Sequence, residues 1–193
     1  MKSGVRALGV AESYRGRPTD ESDRHSTLAG AVVRASRVAD GFAYGTCTVG
    51  GLDATDAIID LFSTLDREDV RYIFVAGIAL AWYNVVDLHR IHEATDRPVV
   101  SVTFEASPGL IEALEAEFDG EALEKRKAVF ERQPSRERLS VNDQTVFVRS
   151  VGMDAGEAKD AVRAFTPEGG RPEPLRIARL AARAGDEFRR QDE

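Results

Sequence analysis

The sequence lacks several features that would point to a secreted or membrane protein. It has one cysteine, Cys47, in 193 residues, which excludes a disulfide framework and a zinc site built from several cysteines. The longest apolar stretch, residues 72–86, is interrupted by a glycine and an asparagine and is shorter than the roughly 18 residues that span a bilayer. The first ten residues include Lys2 and Arg6 and do not contain the apolar core of a secretory signal peptide. We therefore expect a soluble cytoplasmic protein.

Lysine is also scarce, and positive charge does not dominate. Only four of the 26 basic residues are lysines, and 33 acidic residues give a formal net charge of −7. This balance argues against a surface that binds polyanions everywhere, because non-specific nucleic-acid affinity comes from clustered Lys and Arg that neutralise phosphates. A local arginine strip is still compatible with it.

Two common chemical motifs are missing. His89 and His92 lack the intervening glutamate of a zinc protease helix, and no third ligand is evident. Gly50-Gly51 is not followed by the Gly-Lys-Ser/Thr ending of a phosphate-binding loop. The sequence thus argues against a histidine-based metal centre and against a P-loop.

The hydrophobic pattern predicts one α/β domain over residues 1–193. Three early apolar or β-branched runs predict antiparallel strands, and the pattern then alternates between helical and extended periods. The predicted strands are 4–10, 27–34, 38–49, 70–75, 98–104 and 145–150, and the predicted helices are 52–65, 84–94, a pair within 108–133, 155–165 and 174–190. This order favours a mixed sheet with helices on both faces.

Carboxylates near the ends of these elements are candidates for a Mg²⁺ or Mn²⁺ site, since such ions prefer hard oxygen ligands and activate water at phosphodiesters. Glu12 directly follows the first strand, where an acid has little structural purpose. Asp53 follows two glycines, which let the backbone approach a ligand closely. Asp40, Asp56 and Asp154 are further candidates.

Structural roles compete with the metal-binding ones. Asp40 precedes Gly41 and suits a turn, Asp56 suits the positive end of a helix dipole, and Asp87 suits a solvated helix position. The last predicted helix has an apolar stripe beside a row of arginines. That row can track phosphates, or it can be a solvated face paired with acids.

Several segments resemble a known family. The tail AFTPEGGRPEPLRIARLAAR, residues 164–183, is similar to the end of endonuclease V, and the strands RALGVAES and YIFVAG match the two that carry its metal-binding aspartates. The segments GFAYGTCTVGGLDATDAII and GIALAWYNVVDL resemble still more closely a mostly archaeal family related to endonuclease V, called endonuclease dU. The resemblance implies an RNase H-like, endonuclease V-like fold.

The chain departs from endonuclease V at its metal positions. Ala11 and Ala76 stand where the two strands carry aspartates in endonuclease V, while Asp53 matches the glutamate of its first helix. The late histidine falls near Val151, with Asp154 close by. Glu12 can replace an acid at position 11 only if the strand has ended or bulged, because consecutive strand side chains point to opposite faces.

The resemblance implies a DNA endonuclease for deaminated bases, above all deoxyuridine, that uses Mg²⁺ or Mn²⁺ to hydrolyse the phosphodiester. Asp53 would be the main metal ligand and Glu12 a second ligand or the general base, with Asp154, Asp56 or Asp40 supporting. Tyr14, Trp82, Tyr83 and Asn84 would contact the extruded base, and Arg171, Arg176, Arg179 and Arg183 the DNA backbone. Trp82 and Tyr83 follow an apolar strand, so packing in the core is the alternative role for these two.

Two other functions stay open. The alanines at positions 11 and 76 favour a catalytically inactive, RNase H-like nucleic-acid-binding protein that is a partner in DNA repair. The acidic net charge would suit a phosphoesterase that acts on small nucleotides.

Overall fold

The computed structural model describes residues 1–16, 24–105 and 109–191. The strands are β1 (Arg6–Glu12), β2 (His25–Arg34), β3 (Ala39–Thr48), β4 (Val70–Val75), β5 (Ala79–Leu80), β6 (Asn84–Val85), β7 (Val99–Thr103), β8 (Glu137–Val141) and β9 (Gln144–Val151). The helices are α1 (Ala54–Leu65), α2 (Leu88–Thr95), α3 (Ile111–Glu117), α4 (Gly120–Glu131), α5 (Ala155–Ala164) and α6 (Glu173–Arg189).

Seven strands form one mixed sheet in the order β3-β2-β1-β4-β7-β9-β8. The first three strands pair antiparallel, as the sequence predicts. β4 then pairs parallel to β1, β7 pairs parallel to β4, and β9 returns antiparallel to β7. The carboxyl ends of β1, β4 and β7 therefore meet at one edge of the sheet.

Helices cover both faces of the sheet, and successive side chains of β1 point alternately to the two faces. Leu8 and Val10 pack in a core with residues of α1 and α2, whereas Ala7 packs with residues of α5 and α6 on the other face. Gly9 lies under the start of α6, where a Cβ atom would come within 2.2 Å of the Pro174 carbonyl oxygen. The glycine thus permits the close contact between β1 and α6.

Two local predictions are wrong. The helix predicted from residue 84 begins at Leu88, because the Asp87 carboxylate caps it by accepting the backbone N–H groups of His89 and Arg90. Asp87 is also 1% exposed, not solvated. The short hairpin of β5 and β6 and the edge strand β8 were not predicted.

The mixed α/β sheet with three leading antiparallel strands is otherwise as predicted. Within the described ranges, no helix combines the length and the apolar composition needed to cross a membrane.

Candidate functional site

The first strand keeps its register with β2 to its last residue, and this decides on which face of the sheet Glu12 lies. Glu12 pairs with Leu28 in an unbroken register with β2. By strand alternation it lies on the α1 face with Leu8 and Val10, while Ala11 belongs to the apolar cluster under α6. Glu12 therefore does not take the place of an acid at position 11. Its carboxylate accepts hydrogen bonds from the Ser26 hydroxyl, at 2.9 Å, and from the backbone N–H of Tyr14.

Asp53 lies on the same face, immediately before α1. Its carboxylate does not cap the helix but turns back to β3, where it accepts the backbone N–H of Thr48 at 3.0 Å and the Thr48 hydroxyl at 2.7 Å. A third donor is the Asn84 side-chain amide at 2.6 Å. Partial burial opposes ionisation, but these hydrogen bonds outweigh it and hold the pKa of Asp53 below its ordinary value. Asp53 is thus ionised at neutral pH.

Cys47 links the two acids. It lies opposite Ser26 in the β2–β3 pairing and is fully buried. Burial raises the pKa of its thiol to about 12, and the negative charges of Asp53 and Glu12 add to that rise. The hydroxyl of Ser26, the cross-strand partner of Cys47, donates to Glu12, and the next residue along β3, Thr48, donates to Asp53. Glu12 and Asp53 therefore belong to one locality, which we call the acidic edge (Glu12, Cys47 and Asp53). An un-ionised thiol is a poor nucleophile.

Asn84 is a supporting residue, which corrects the prediction that it contacts a base. It is 0% exposed, and its side-chain oxygen accepts the first backbone N–H of α1, that of Ala54, at 2.9 Å. Its amide nitrogen donates to the Thr48 carbonyl at 2.9 Å and to Asp53. Asn84 therefore has no polar atom left for a ligand; it caps α1 and orients Asp53.

Three consecutive left-handed residues precede Asn84. The φ angles are 38° at Ala81, 56° at Trp82 and 62° at Tyr83. A left-handed conformation costs roughly 1–2 kcal/mol for each residue with a Cβ atom. The turn is held by the backbone N–H of Gly50, which donates to the Ala81 carbonyl at 2.8 Å. Strain of this kind is typical of functional sites, where neighbouring contacts fix the backbone.

Arg126 also holds this turn. It is 3% exposed, and its guanidinium donates to the carbonyls of Tyr83 at 3.1 Å and Gly51 at 3.0 Å, and to that of Gly50. Burial lowers its pKa. Arg126 joins α4 to the glycine turn before Asp53 and to the left-handed turn. Sequence reasoning missed it, because a single arginine among the charged residues of α4 looks solvated.

Aromatic side chains stand beside the acidic edge. The rings of Trp82 and Tyr83 both contact Phe118, with centroid distances of 5.4 Å and 6.2 Å. Trp82 also covers Gly50, where a Cβ atom would come within 2.6 Å of the indole. Both aromatic residues are half-buried. Tyr14 lies next to Glu12, so it is at the same end of β1.

Asp40 is far from this site along the sheet. It lies at the amino end of β1, where its carboxylate binds the side chains of Arg6, Arg34 and Arg67. The hydrogen bond from Arg34 is the largest of the effects that hold its pKa well below the ordinary value. Asp40 is therefore an ion-pair centre, which corrects the prediction that it supports a metal.

Asp154 and Asp56, two of the predicted metal-binding acids, are not part of the acidic edge either. Asp154 caps α5 by accepting the Glu157 backbone N–H at 2.8 Å. Because it follows β9, which is antiparallel to β7, it lies at the amino ends of β4 and β7, opposite to the acidic edge. Asp56 is exposed and pairs with Arg90 at 2.5 Å. Neither is placed to share an ion with Glu12.

The predicted phosphate-binding arginines divide into two groups. Arg176 is exposed and paired with Glu173 at 2.6 Å, and Arg183 is exposed on the same helix. Arg171 and Arg179 instead line a cleft of about 620 Å³ at the carboxyl ends of β4 and β7. Ala76 is part of the wall of that cleft.

A complete cation site is not preformed in the parts of the chain that the structure describes. No group of three or more His, Cys, Asp or Glu side chains is arranged to hold an ion there. Ala11 and Ala76 lie in one apolar cluster with Ala31, Val33 and Ala178. Magnesium, however, is commonly held by one or two carboxylates, with water and substrate phosphates completing its coordination. Glu12 and Asp53 supply carboxylate oxygens, which are the kind of donor that such an ion takes.

The chain matches a family model over most of its length. The model described as endonuclease dU matches residues 3–185. The chain belongs to the endonuclease dU family. A "UPF0215 protein" of Archaeoglobus fulgidus is 32% identical over 180 residues, which cover 93% of this chain and 92% of that one. A relative in Thermococcus kodakarensis is 33% identical, with coverage of 95% and 93%.

Solved structures with similar folds identify the fold of this chain. A protein of unknown function from Archaeoglobus fulgidus has a TM-score of 0.80 at 32% identity, covering 93% of this chain and 96% of its own. Endonuclease V from Bacillus subtilis has a TM-score of 0.66 at 14% identity, with coverage of 98% and 84%. Endonuclease V from Ciona intestinalis, in complex with a DNA containing an inosine, has a TM-score of 0.62 at 10% identity, with coverage of 95% and 86%. The predicted endonuclease V-like fold is confirmed.

Proposed function

We propose that this protein is an endonuclease that cuts DNA at deaminated bases, with deoxyuridine as its substrate. The observation that carries the proposal is an ionised Asp53, fixed by Thr48 and Asn84 on the same face as Glu12. The name of the endonuclease dU family and the endonuclease V-like fold support the same reaction class.

Asp53 and Glu12 have different roles in this proposal. Asp53 is the main ligand for Mg²⁺ or Mn²⁺, because its negative charge is held by neutral donors and no cation pairs with it in the described structure. Glu12, held by the Ser26 hydroxyl, is a second ligand or the base that takes a proton from the attacking water. A bound divalent ion supplies a water of lowered pKa and stabilises the leaving oxygen.

The aromatic residues beside the acidic edge provide the base site. A uracil mispaired with guanine is easier to extrude than a paired cytosine, and an extruded base is commonly stacked between aromatic side chains. Trp82 and Tyr83 are fixed by the left-handed turn, and Tyr14 lies next to Glu12. Asn84 acts indirectly by fixing Asp53.

The test is cleavage of labelled oligonucleotides that contain uracil, hypoxanthine or only normal bases, with Mg²⁺, with Mn²⁺ and with chelator. We expect cleavage at uracil that requires metal and is lost in Asp53→Ala. Asp56→Ala is the matched control, because this acid lies in the first turn of the same helix but pairs with Arg90 on the surface. Cleavage by Asp53→Ala at the wild-type rate would refute the assignment.

A second candidate is a nucleic-acid-binding repair partner without catalytic activity. It is favoured by Ala11 and Ala76, which form an apolar contact where the resemblance calls for two carboxylates. Uracil-dependent binding without cleavage under every metal condition would select it. Hydrolysis of mononucleotides but not of oligonucleotides would instead select a small-molecule phosphoesterase.

A further inference from the structure

The cleft beside Ala76 has the size of a ligand site. Its volume of about 620 Å³ lies within the range of roughly 300–1,000 Å³ typical of small-molecule sites. It opens at the carboxyl ends of β4 and β7, and Thr103 and Phe104 form part of its wall. In α/β sheets, ligands bind preferentially outside the carboxyl ends of the strands.

Arginines converge on this cleft from separate parts of the chain. Arg136 precedes β8, Arg149 lies on β9, Arg171 precedes α6 and Arg179 lies on α6. Among the described lining residues Glu105 is the one acid, and it is exposed. The cleft therefore carries a net positive charge in a chain whose formal net charge is −7. We call it the arginine cleft (Arg136, Arg149, Arg171 and Arg179).

Two of these guanidinium groups are partly desolvated and have no carboxylate partner among the described residues. Burial lowers the pKa of Arg149, and Arg136 lowers it further. Burial likewise lowers the pKa of Arg171, with added repulsion from Arg179 and Arg183. Within the described structure, Arg149 donates to the Pro134 carbonyl and Arg171 lies 4.5 Å from the centre of the Phe104 ring.

Like charges that crowd together in a desolvated cleft are unfavourable unless an anion neutralises them. The cluster around Asp40 shows the usual solution, since its three arginines pair with Asp40 and two of them, Arg6 and Arg67, also pair with Asp69. Arginine is also the side chain whose planar group matches phosphate in a bidentate way, and stacking on an aromatic ring fixes that plane in advance. Arg136 and Arg171 are both stacked, on Phe147 and Phe104.

We propose that the arginine cleft binds the phosphate group of a nucleotide, either free or within a strand. Ala76, which stands where the resemblance to endonuclease V calls for a metal-binding aspartate, thereby lies in the wall of an anion site. The proposal does not rest on cleavage, because binding can be measured while a chelator blocks any metal-dependent reaction.

The test compares two double variants that remove the same formal charge. Arg149→Gln with Arg171→Gln alters the cleft, whereas Arg71→Gln with Arg163→Gln removes exposed arginines that pair with Glu157 and Asp160. Fluorescence anisotropy with a labelled single-stranded oligonucleotide is recorded in chelator over a range of salt concentrations. We expect at least a tenfold loss of affinity for the cleft variant and less than threefold for the control.

The salt dependence gives an independent readout. Each lost phosphate contact should reduce the slope of log K against log salt by about 0.7 for a single strand, so the cleft variant should lose about 1.4. Equal losses in both double variants, or unchanged binding by the cleft variant, would overturn the proposal. Competition by dUMP would identify a free nucleotide as ligand, and binding of the strand alone would identify the strand.

Arg179→Gln keeps the proposal testable if the double variant does not fold. Arg179 is half-exposed, and no hydrogen bond or ion pair ties it to the described chain, so its replacement leaves the fold intact. Its thermal melting point should match the wild type, and its affinity for the oligonucleotide should fall at least threefold. An unchanged affinity would contradict the proposal.

Discussion

Asp40 and Asp53 are both aspartates whose pKa is lowered, but the carboxylates are stabilised by different kinds of partner. Asp40 is surrounded by three arginines at the amino end of β1, so its charge is cancelled within the fold. Asp53 is held by two hydrogen bonds from Thr48 and one from Asn84, which are neutral donors and leave its charge in place. Residual charge, and not a lowered pKa alone, thus separates a candidate ligand from a structural ion pair.

Arginines show the same contrast between side chains that are paired with an opposite charge and side chains that are not. The arginines at Asp40 have a carboxylate among them, whereas Arg149 and Arg171 have none in the described structure. The carboxyl edge of the sheet therefore has an uncompensated negative locality at Asp53 and an uncompensated positive one beside Ala76. A metal ion and a phosphate are the two ligand classes that such localities attract.

The largest expected effect separates the two aspartates by activity. Asp53→Asn should reduce uracil-dependent cleavage by at least about 100-fold, since one ligand of the activating ion is lost. Asp40→Asn should leave the cleavage rate within about twofold while it lowers the melting temperature, because three arginines lose the carboxylate they share and only Arg6 and Arg67 keep Asp69 as a partner in the described structure. Rates measured on purified variants that retain their circular dichroism spectrum decide this. An equal loss in both variants would remove the distinction drawn above.

The next effect concerns what holds Asp53. Asn84→Ala should lower the free energy of unfolding by about 2–4 kcal/mol, because buried groups on Ala54 and Thr48 lose their partner. Thr48→Val should cost only about 1 kcal/mol, since it removes a single hydroxyl and retains the backbone donor to Asp53. Urea unfolding measures both. A larger loss in Thr48→Val than in Asn84→Ala would contradict the supporting role of Asn84.

The general architecture could be predicted because its signals are local. Strand and helix periods are encoded in neighbouring residues, so the three leading strands and the later alternation were recovered. The sequence does not predict the start of α2 because Asp87 looks like a solvated helix position, whereas its buried carboxylate caps the helix by accepting the backbone N–H groups of His89 and Arg90. A left-handed turn at three residues with Cβ atoms has no sequence signature of its own.

The site was only partly predictable for a topological reason. The sequence groups Glu12 with Asp53, and strand pairing with the hydrogen bonds of Ser26 and Thr48 places both on one face. Asp40 and Asp154 were proposed with them because both lie at strand ends, but the sequence does not say which end of the sheet a strand end reaches. The sequence makes Asn84 look available to a ligand, because it does not show burial, and in the structure the side chain is fully buried.

A smaller effect tests the guanidinium that joins α4 to the site. Arg126→Lys should lower the free energy of unfolding by about 1–3 kcal/mol, because one ammonium group cannot reproduce the fork that reaches the carbonyls of Gly51 and Tyr83. Activity should fall further than stability explains, since the left-handed turn loses a contact. Lys125→Arg on the exposed side of α4 is the control and should change neither quantity. Full activity of Arg126→Lys, measured under conditions in which the variant is completely folded, would limit Arg126 to a structural role.

The smallest effect is the pH dependence of stability. Because the pKa of Asp40 and of Asp53 is lower in the folded protein than the ordinary value of about 3.9, each stabilises the fold fully above that value and loses its contribution as the pH falls through the folded pKa. Asp40→Asn and Asp53→Asn should therefore each flatten the decline of stability below pH of about 4. Urea midpoints between pH about 2 and 7 measure this decline. Asp40 is held by ion pairs and Asp53 by neutral donors, and salt screens ion pairs but not hydrogen bonds to neutral groups. High salt should therefore weaken the pH dependence of stability that Asp40 contributes and leave that of Asp53 nearly unchanged.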